Sequence, residues 1–279
     1  MGPGGVKERD RIRRLWGNTH WTNRTGFKTV FVLGIPPSEN TTANLIQSEK
    51  TTPNFINSRV RWESEQHRDI IQLDFEDTYY NLTLKTLCGL HWVRNYCRSA
   101  TWVLKSDADV VVNIFELTKF LHHYDLDHNN TRTKLLCRVA PSNVVCRGCR
   151  FVKWRVSHQE YPRKRYPPYC YGPGYIIPRN LVDPLYEAAI TNLTHLFKLE
   201  DIYFTGMIPQ SLGWKKHIQN IGRRFPWRPH MWMDSFALGD LMILELDRTM
   251  GHGASALVWS NILKHQGLVN TDNHTYTGT

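Results

Sequence analysis

An α/β fold with a mostly parallel central sheet flanked by helices is what this sequence predicts, on three observations. Short β-branched apolar runs alternate with helical patterns through the first half of the chain. Parallel neighbours need long, usually helical crossovers, so this alternation implies a largely parallel sheet covered by helices. The length of 279 residues suits one α/β domain, 1–279. Hydrophobic residues make up 41% of the chain and 10 residues are Trp, which builds a sizeable core and excludes a disordered chain.

The elements follow in order. Thr29–Ile35 is apolar and β-branched, ended by Gly34 and Pro36-Pro37, and reads as a buried strand. Asp69–Phe75 is a second strand. A helix over roughly Tyr80–Tyr96 places Leu84, Leu87, Cys88 and Trp92 on one face. Ala100–Lys105 is a third strand, ending at Ser106-Asp107-Ala108-Asp109. Asn113 and Glu116 form a capping-box pair, and the helix they open carries Leu117, Phe120, Leu121 and Tyr124 on one face. Asp125–Thr133 is polar and reads as a loop. The C-terminal half is more irregular: it holds Pro167-Pro168, Gly172-Pro173-Gly174, a helix near Asn180–Ile190, and Glu200-Asp201.

A formal net charge of +10, with clusters at Arg9/Arg11/Arg13/Arg14, Arg147/Arg150/Lys153/Arg155, Arg163/Lys164/Arg165 and Arg223/Arg224, favours anionic partners. It does not choose among nucleotides, acidic glycans, lipids and nucleic acid. No nucleic-acid motif accompanies it, so no nucleic-acid partner is expected. Six Cys (Cys88, Cys97, Cys137, Cys146, Cys149, Cys170) allow 15 pairings. Asn-x-Ser/Thr sequons begin at Asn23, Asn40, Asn81, Asn129, Asn192 and Asn273, an excess over the one or two that average composition gives by chance. They point to N-glycosylation in a secretory lumen. Met1–Asp10 is polar, and Leu241–Leu246 is too short to cross a bilayer. A luminal setting therefore implies an N-terminally truncated chain, with membrane attachment through a segment absent from it.

The sharpest chemical candidate is Asp107-x-Asp109. Two carboxylates at the end of a buried strand can share one hard cation, Mn²⁺ or Mg²⁺, which could bridge a nucleotide diphosphate. A second such triplet, Asp125-x-Asp127, lies in the polar stretch and reads as solvated. Asp107 and Asp109 sit between apolar runs, where carboxylates need a partner, so the metal reading is preferred to a structural salt bridge. Glu200-Asp201 reads, on spacing alone, as helix N-terminal charge; a cleft-facing carboxylate there could instead deprotonate a hydroxyl. Cys146-x-x-Cys149 lacks regular zinc partners and reads as disulfide chemistry.

Several stretches together resemble the β1,3-galactosyl/N-acetylglucosaminyltransferases of glycosyltransferase family 31. Asp69-Ile70, Asp74-Phe75, Asp77, Tyr79 and Asn81–Thr86 resemble the "DI…DF.D.Y.NLTLKT" block. Lys105–Asp109 with Asn113 resembles the "K.DDD…N" metal motif, and Tyr166–Cys170 with Gly172, Gly174 and Tyr175 resembles "YPpYc.G.GY". Glu200–Tyr203 with Gly206 resembles "EDVY.G", and Arg9, Ile12, Arg13 and Trp16 match "R..IR..W".

The resemblance implies a GT-A-like single domain and an inverting transfer of galactose or N-acetylglucosamine from UDP-Gal or UDP-GlcNAc to a glycan hydroxyl in β1,3 linkage. The acceptor would be carried by a glycoprotein or glycolipid, on the luminal side of the Golgi membrane. It implies Mn²⁺ (or Mg²⁺) on Asp107 and Asp109, and Asp201 as general base. Arg9, Arg13 and Lys105 would help hold the UDP-sugar, and Tyr166, Tyr169, Gly174 and Glu200 would shape the acceptor cleft. Departures exist: Leu15 stands for the usual Thr, and Ala108 for the middle Asp. A His that many members carry eleven residues before a Trp corresponds to Arg248, with His252 nearby. The alternatives are an inactive glycosyltransferase-like protein or a module that binds acidic glycans.

Overall fold

The computed structural model of the protein describes residues 1–37, 52–129, 131–140, 142–191, 196–225, 241–246 and 253–269. In chain order the elements begin with α1 (Val6–Arg14), α2 (Thr19–Thr25), β1 (Phe31–Ile35), α3 (Pro53–His67), β2 (Ile70–Glu76) and α4 (Leu82–Tyr96). They continue with β3 (Trp102–Ser106), β4 (Val110–Val112), α5 (Ile114–Asp127), β5 (Leu135–Val139), β6 (Cys170–Pro178) and α6 (Arg179–Ile190). A helical segment follows as α7 (Glu200–Ile202), a π turn (Tyr203–Met207) and α8 (Ile208–Ser211), and then β7 (Ile218–Asn220), β8 (Ile243–Glu245) and α9 (Ala254–His265). Two compact units result: Met1–Asp10, Thr29–Ala108 and Thr131–Ile221 form the first, and Arg11–Lys28, Asp109–Asn130 and Gly222–Thr279 the second.

In the first unit β1 and β2 pair in parallel across the crossover helix α3. Thr52 caps that helix, its hydroxyl accepting from Phe55 N–H at 3.3 Å, and Pro53 opens the first turn, where its missing donor costs nothing. Gly34 permits the β1–β2 approach, because a Cβ there would lie 2.3 Å from the carbonyl oxygen of Phe75. Just beyond β2, Asp77 accepts from Gly34 N–H at 3.0 Å and pairs with Lys85 of α4 at 2.7 Å. Asn81 donates to Glu76 O at 2.8 Å, and the buried Thr83 hydroxyl donates to Phe197 O. The block Asp74–Thr86 thus ties β1, β2 and α4 together.

The other sheet of this unit runs in the order β3-β6-β5-β7. Its buried side chains include Leu135, Leu136, Cys137, Tyr175, Ile176 and Ile177. Leu181, Val182, Leu185, Ala188 and Ala189 form the buried stripe of α6. β5 and β7 pair in parallel, whereas β6 is antiparallel to both β3 and β5. The largely parallel arrangement expected from alternation therefore gives way at β6 to a mixed sheet flanked by helices. Between β5 and β6 the described residues hold the short 3₁₀ turn Val152–Trp154 but no crossover helix, so nothing fixes β6 as parallel. A disulfide between Cys137 and Cys170 joins β5 to β6, and Cys146–Cys149 closes a short loop; Cys88 and Cys97 are free thiols.

In the second unit the wholly buried β4 pairs antiparallel with β8. Asn113 caps α5 as expected, its Oδ1 accepting from Glu116 N–H at 3.3 Å. Trp259 of α9 is fully buried, stacked on Phe115 and edge-on to Trp21. The polar stretch read as a loop from Asp125 is helical to Asp127, a correction with a local cause. Tyr124 and His128 stack at 4.1 Å, and only Asn129, at φ 48°, turns the chain out. Among the described residues no helix is long and apolar enough to cross a membrane.

Arg9 is fully buried. Its guanidinium forks onto Glu63 at 2.7 and 2.6 Å and donates to the carbonyls of Gly2 and Pro3 at 3.0 Å each. Glu63→Ala would strand this charge in the interior and should lower unfolding free energy by about 3–5 kcal/mol. The paired change Arg9→Met with Glu63→Leu should lose far less. Denaturant titration of the three variants checks both outcomes.

Candidate active site

The site is built where β3 ends. Antiparallel pairing sets Lys105 against Tyr175 and Ser106 against Gly174, and Asp107 N–H donates to Pro173 O at 3.0 Å. The β5–β6 register jumps here: Cys137 faces Tyr175 while Val139 faces Cys170. Residues 171–174 therefore bulge from the β5 ladder, which is where a proline is tolerated inside a central strand. The bulge carries Gly172 to the helical segment, where a Cβ on it would lie 3.1 Å from Asp201 Oδ2.

Lys105 is the hub. Its ammonium reaches Asp107 Oδ1 at 2.9 Å, Glu200 Oε2 at 3.1 Å and Gly172 O at 3.0 Å, and lies 5.5 Å from the centre of the Tyr175 ring. The Tyr175 hydroxyl donates to Glu200 Oε1. Burial alone would weaken the proton's hold on Lys105, but Asp107 and Glu200 outweigh it and raise the pKa above its ordinary value. Glu200 is 6% exposed, with both oxygens engaged. The Asp107 side chain is 46% exposed.

Asp201 heads the helical segment. Burial, and then the neighbouring Glu200 charge, push its carboxyl up to about 7, against the opposing pull of Lys105 and the Ile202 amide. Ile202 N–H donates to Oδ1 at 2.9 Å. The Asp201 carbonyl accepts from the Thr205 hydroxyl, which in turn accepts from Cys170 N–H at 2.8 Å. His217 Nε2 lies 2.9 Å from Thr205 O. The π turn beginning at Tyr203 packs on the preceding loop: a Cβ at Gly206 would meet Tyr169 Cβ at 3.1 Å and Pro167 Cγ at 3.2 Å. π turns of this kind recur at functional sites.

The sequence-predicted residues fall into three groups. Lys105, Asp107, Glu200 and Asp201 converge, with Gly174 buried beside them on β6. Tyr166 and Tyr169 line the adjoining loop, their rings 6.1 Å apart, and burial raises both hydroxyl pKa values. The Tyr169 hydroxyl also feels the charge of Asp201, and the buried Tyr166 hydroxyl finds no partner among the described residues. Arg9 is a correction: its guanidinium is held by Glu63 and two carbonyls rather than presented to a ligand. Arg13 lies half-buried in the last turn of α1, and Asp109 half-buried before β4, its carbonyl accepting from Leu246 N–H at 2.7 Å.

Asn23 and Asn129 are exposed, and Asn81 is half-buried. Asn40, Asn192, Asn273, Arg248 and His252 lie outside the described residues. Tyr175, Gly172 and Thr205 were not foreseen as site residues. Their signal was the Gly172-Pro173-Gly174 run, which reads as irregular chain and is a bulged strand.

Among the described residues no group of three or more His, Cys, Asp or Glu side chains gathers to hold an ion. Asp107, Glu200 and Asp201 act on one ammonium, so carboxylates outnumber the cation that faces them. Glu200→Gln removes the like charge beside Asp201 and should lower its pKa below about 7, as read by carboxyl-carbon NMR against pH.

The chain is 36% identical over 208 residues to beta-1,3-galactosyltransferase 5 of Homo sapiens, covering 75% of this chain and 60% of that protein. It is 33% identical over 203 residues to beta-1,3-galactosyltransferase 2 of Mus musculus, covering 72% of this chain and 43% of that protein. The chain thus spans about 60% of the length of the first of these relatives. The sequence model of the galactosyltransferase family matches residues 7–220, a stretch that holds Lys105, Asp107, the β6 bulge and Asp201. With that match, the chain belongs to the galactosyltransferase family.

Proposed function

We propose that this protein is an inverting hexosyltransferase that moves galactose from UDP-galactose to a glycan hydroxyl in β1,3 linkage, with UDP-N-acetylglucosamine as the second candidate donor. The observation that carries the reading is Asp201, a carboxyl held near pKa 7 beside Lys105 and Glu200. A base poised near neutral pH is suited to taking a proton from an alcohol as the alcohol attacks.

The step balances as follows. Asp201 accepts the acceptor hydroxyl proton, and that oxygen bonds to the anomeric carbon of the donor. The bond from that carbon to the UDP oxygen breaks and UDP leaves with the electron pair. Attack from the face opposite UDP turns an α-linked donor into a β-linked product, as in inverting glycosidases with a sugar hydroxyl in place of water. Asp107 and Asp109 would hold Mn²⁺ or Mg²⁺, whose chemistry there is to neutralise the diphosphate charge. Lys105 keeps Asp107 and Glu200 in place and adds positive charge beside the departing group. Arg13 is a proposed donor contact, and Tyr166, Tyr169 and Glu200 line the acceptor side. The exposed sequons at Asn23 and Asn129 support a luminal setting, in the Golgi, with acceptors on glycoproteins or glycolipids.

UDP release from each donor over a panel of glycan acceptors tests the reading. Asp201→Asn should cut kcat by about 10²–10⁴-fold while donor affinity by calorimetry stays unchanged. Because only the ionised carboxylate accepts a proton, activity should fall as pH drops through the raised Asp201 pKa. The groups acting on it are Glu200, Lys105, Asp107 and the Ile202 amide, so the acid limb should sit above the ordinary aspartate range. Chelator should abolish turnover and added Mn²⁺ restore it; full activity in chelator would overturn the assignment of Asp107 and Asp109. Gly172→Ala, whose methyl would press on Asp201 Oδ2 at 3.1 Å, should lower kcat with little change in thermal midpoint.

A further inference from the structure

Two short 3₁₀ turns, Tyr79–Asn81 and Val152–Trp154, come together although their residues lie 75 positions apart. The indole N–H of Trp154 donates to the Tyr79 hydroxyl at 2.9 Å. The Lys153 ammonium lies 4.8 Å from the Tyr79 ring centre and 5.2 Å from that of Trp154, with no carboxylate partner among the described residues. Phe151 packs edge-on against Trp154 at 4.8 Å, and Tyr80 against Tyr79 at 6.0 Å. All four rings stay exposed: Tyr79 by 37%, Trp154 by 42%, Phe151 by 53% and Tyr80 by 54%.

This cluster is held from below. Arg147 donates to the carbonyls of Val156, Ser157, Tyr161 and Arg163, all within 2.9 Å. Arg155 donates to Cys149 O at 2.8 Å, and Cys149 is itself bonded to Cys146. Phe151 and Trp154 are therefore displayed on a braced loop. The cluster also adjoins the site: the Tyr79 hydroxyl feels the charges of Asp201, Asp107 and Lys105, with Asp201 foremost among them.

We infer that Tyr79 and Trp154, steadied by Lys153, form a stacking platform for a pyranose ring of the acceptor glycan. Sugar C–H groups carry partial positive charge and suit the negative face of an aromatic ring, while the surrounding hydroxyls need polar partners at its edge. Lys153 lies over one face of each ring, and the ring surface left exposed, with the ammonium and the Tyr79 phenol beside it, supplies both. Asp201 is the strongest of the charges acting on the Tyr79 hydroxyl and, in the transferase reading, the group that meets the acceptor hydroxyl, which favours the acceptor over the donor as the sugar stacked here. The inference rests on the transferase reading for that assignment.

The test uses the full chain with UDP-galactose as donor and N-acetylglucosamine and N-acetyllactosamine as acceptor probes. Trp154→Ala should raise the KM for acceptor about tenfold, equivalent to about 1.4 kcal/mol, and leave the donor KM unchanged. Trp154→Phe, which keeps a ring and loses the bond to Tyr79, should recover most of the loss. Direct titration of the same glycans into the Asp201→Asn variant, with and without Trp154→Ala, separates binding from chemistry. Trp154-dependent glycan binding without any transfer would sink the transferase and keep the platform. Transfer with acceptor KM unmoved in a Trp154→Ala variant of unaltered thermal midpoint, or a shift in donor KM instead, would overturn the platform alone.

Discussion

One ammonium organises this site. Lys105 rises from the end of β3 into contact with Asp107 and Glu200, and within electrostatic reach of Asp201. A single cation cannot neutralise three carboxylates, so the deficit is shared unevenly. Glu200 is buried but has the Tyr175 hydroxyl on one oxygen and the Lys105 ion pair on the other, and the Asp107 side chain is partly exposed. Asp201 is left with burial and a like-charged neighbour, and its proton is retained toward neutral pH. Three acids of the same chemistry are thereby placed in different electrostatic settings by their surroundings alone.

The sequence blocks that resemble the family divide between scaffolding and the candidate site. Asp77 holds Gly34 and Lys85, Asn81 holds Glu76, and Thr83 holds Phe197, so the longest block serves to lock β1, β2 and α4. The Tyr166–Tyr175 and Glu200–Gly206 blocks are parts of one wall. Gly206 lets Pro167 and Tyr169 close on the π turn, Thr205 joins Cys170 to Asp201, and Tyr175 reaches Glu200. The π turn follows directly on α7, which carries Asp201, and leads into α8.

Much of this was legible in the residues. β1, β2, β3, α4, α5 and α6 announce themselves through periodicity and caps, and the Asp107 segment falls at a strand end as its spacing implies. Three features escaped for physical reasons. β6 carries Gly172-Pro173-Gly174, which local propensity counts against a strand, and only the register jump against β5 accommodates it. Arg9 fits a basic cluster until tertiary packing brings in Glu63 from 54 residues away. The Tyr79–Trp154 contact joins segments whose proximity no local pattern encodes. The duty proposed for Asp201 came from family resemblance, since Glu200-Asp201 by spacing is an ordinary helix start.

The Cys137–Cys170 bond lies one link behind the proposed base, Asp201. Cys170 supplies the amide on which the Thr205 hydroxyl leans, and that hydroxyl carries the backbone of Asp201. Oxidation of two thiols therefore braces the strand from which the acid is hung. A chain synthesised where glutathione keeps thiols reduced would have to position this aspartate without that brace, so the redox state of the compartment is written into the alignment of the acid itself.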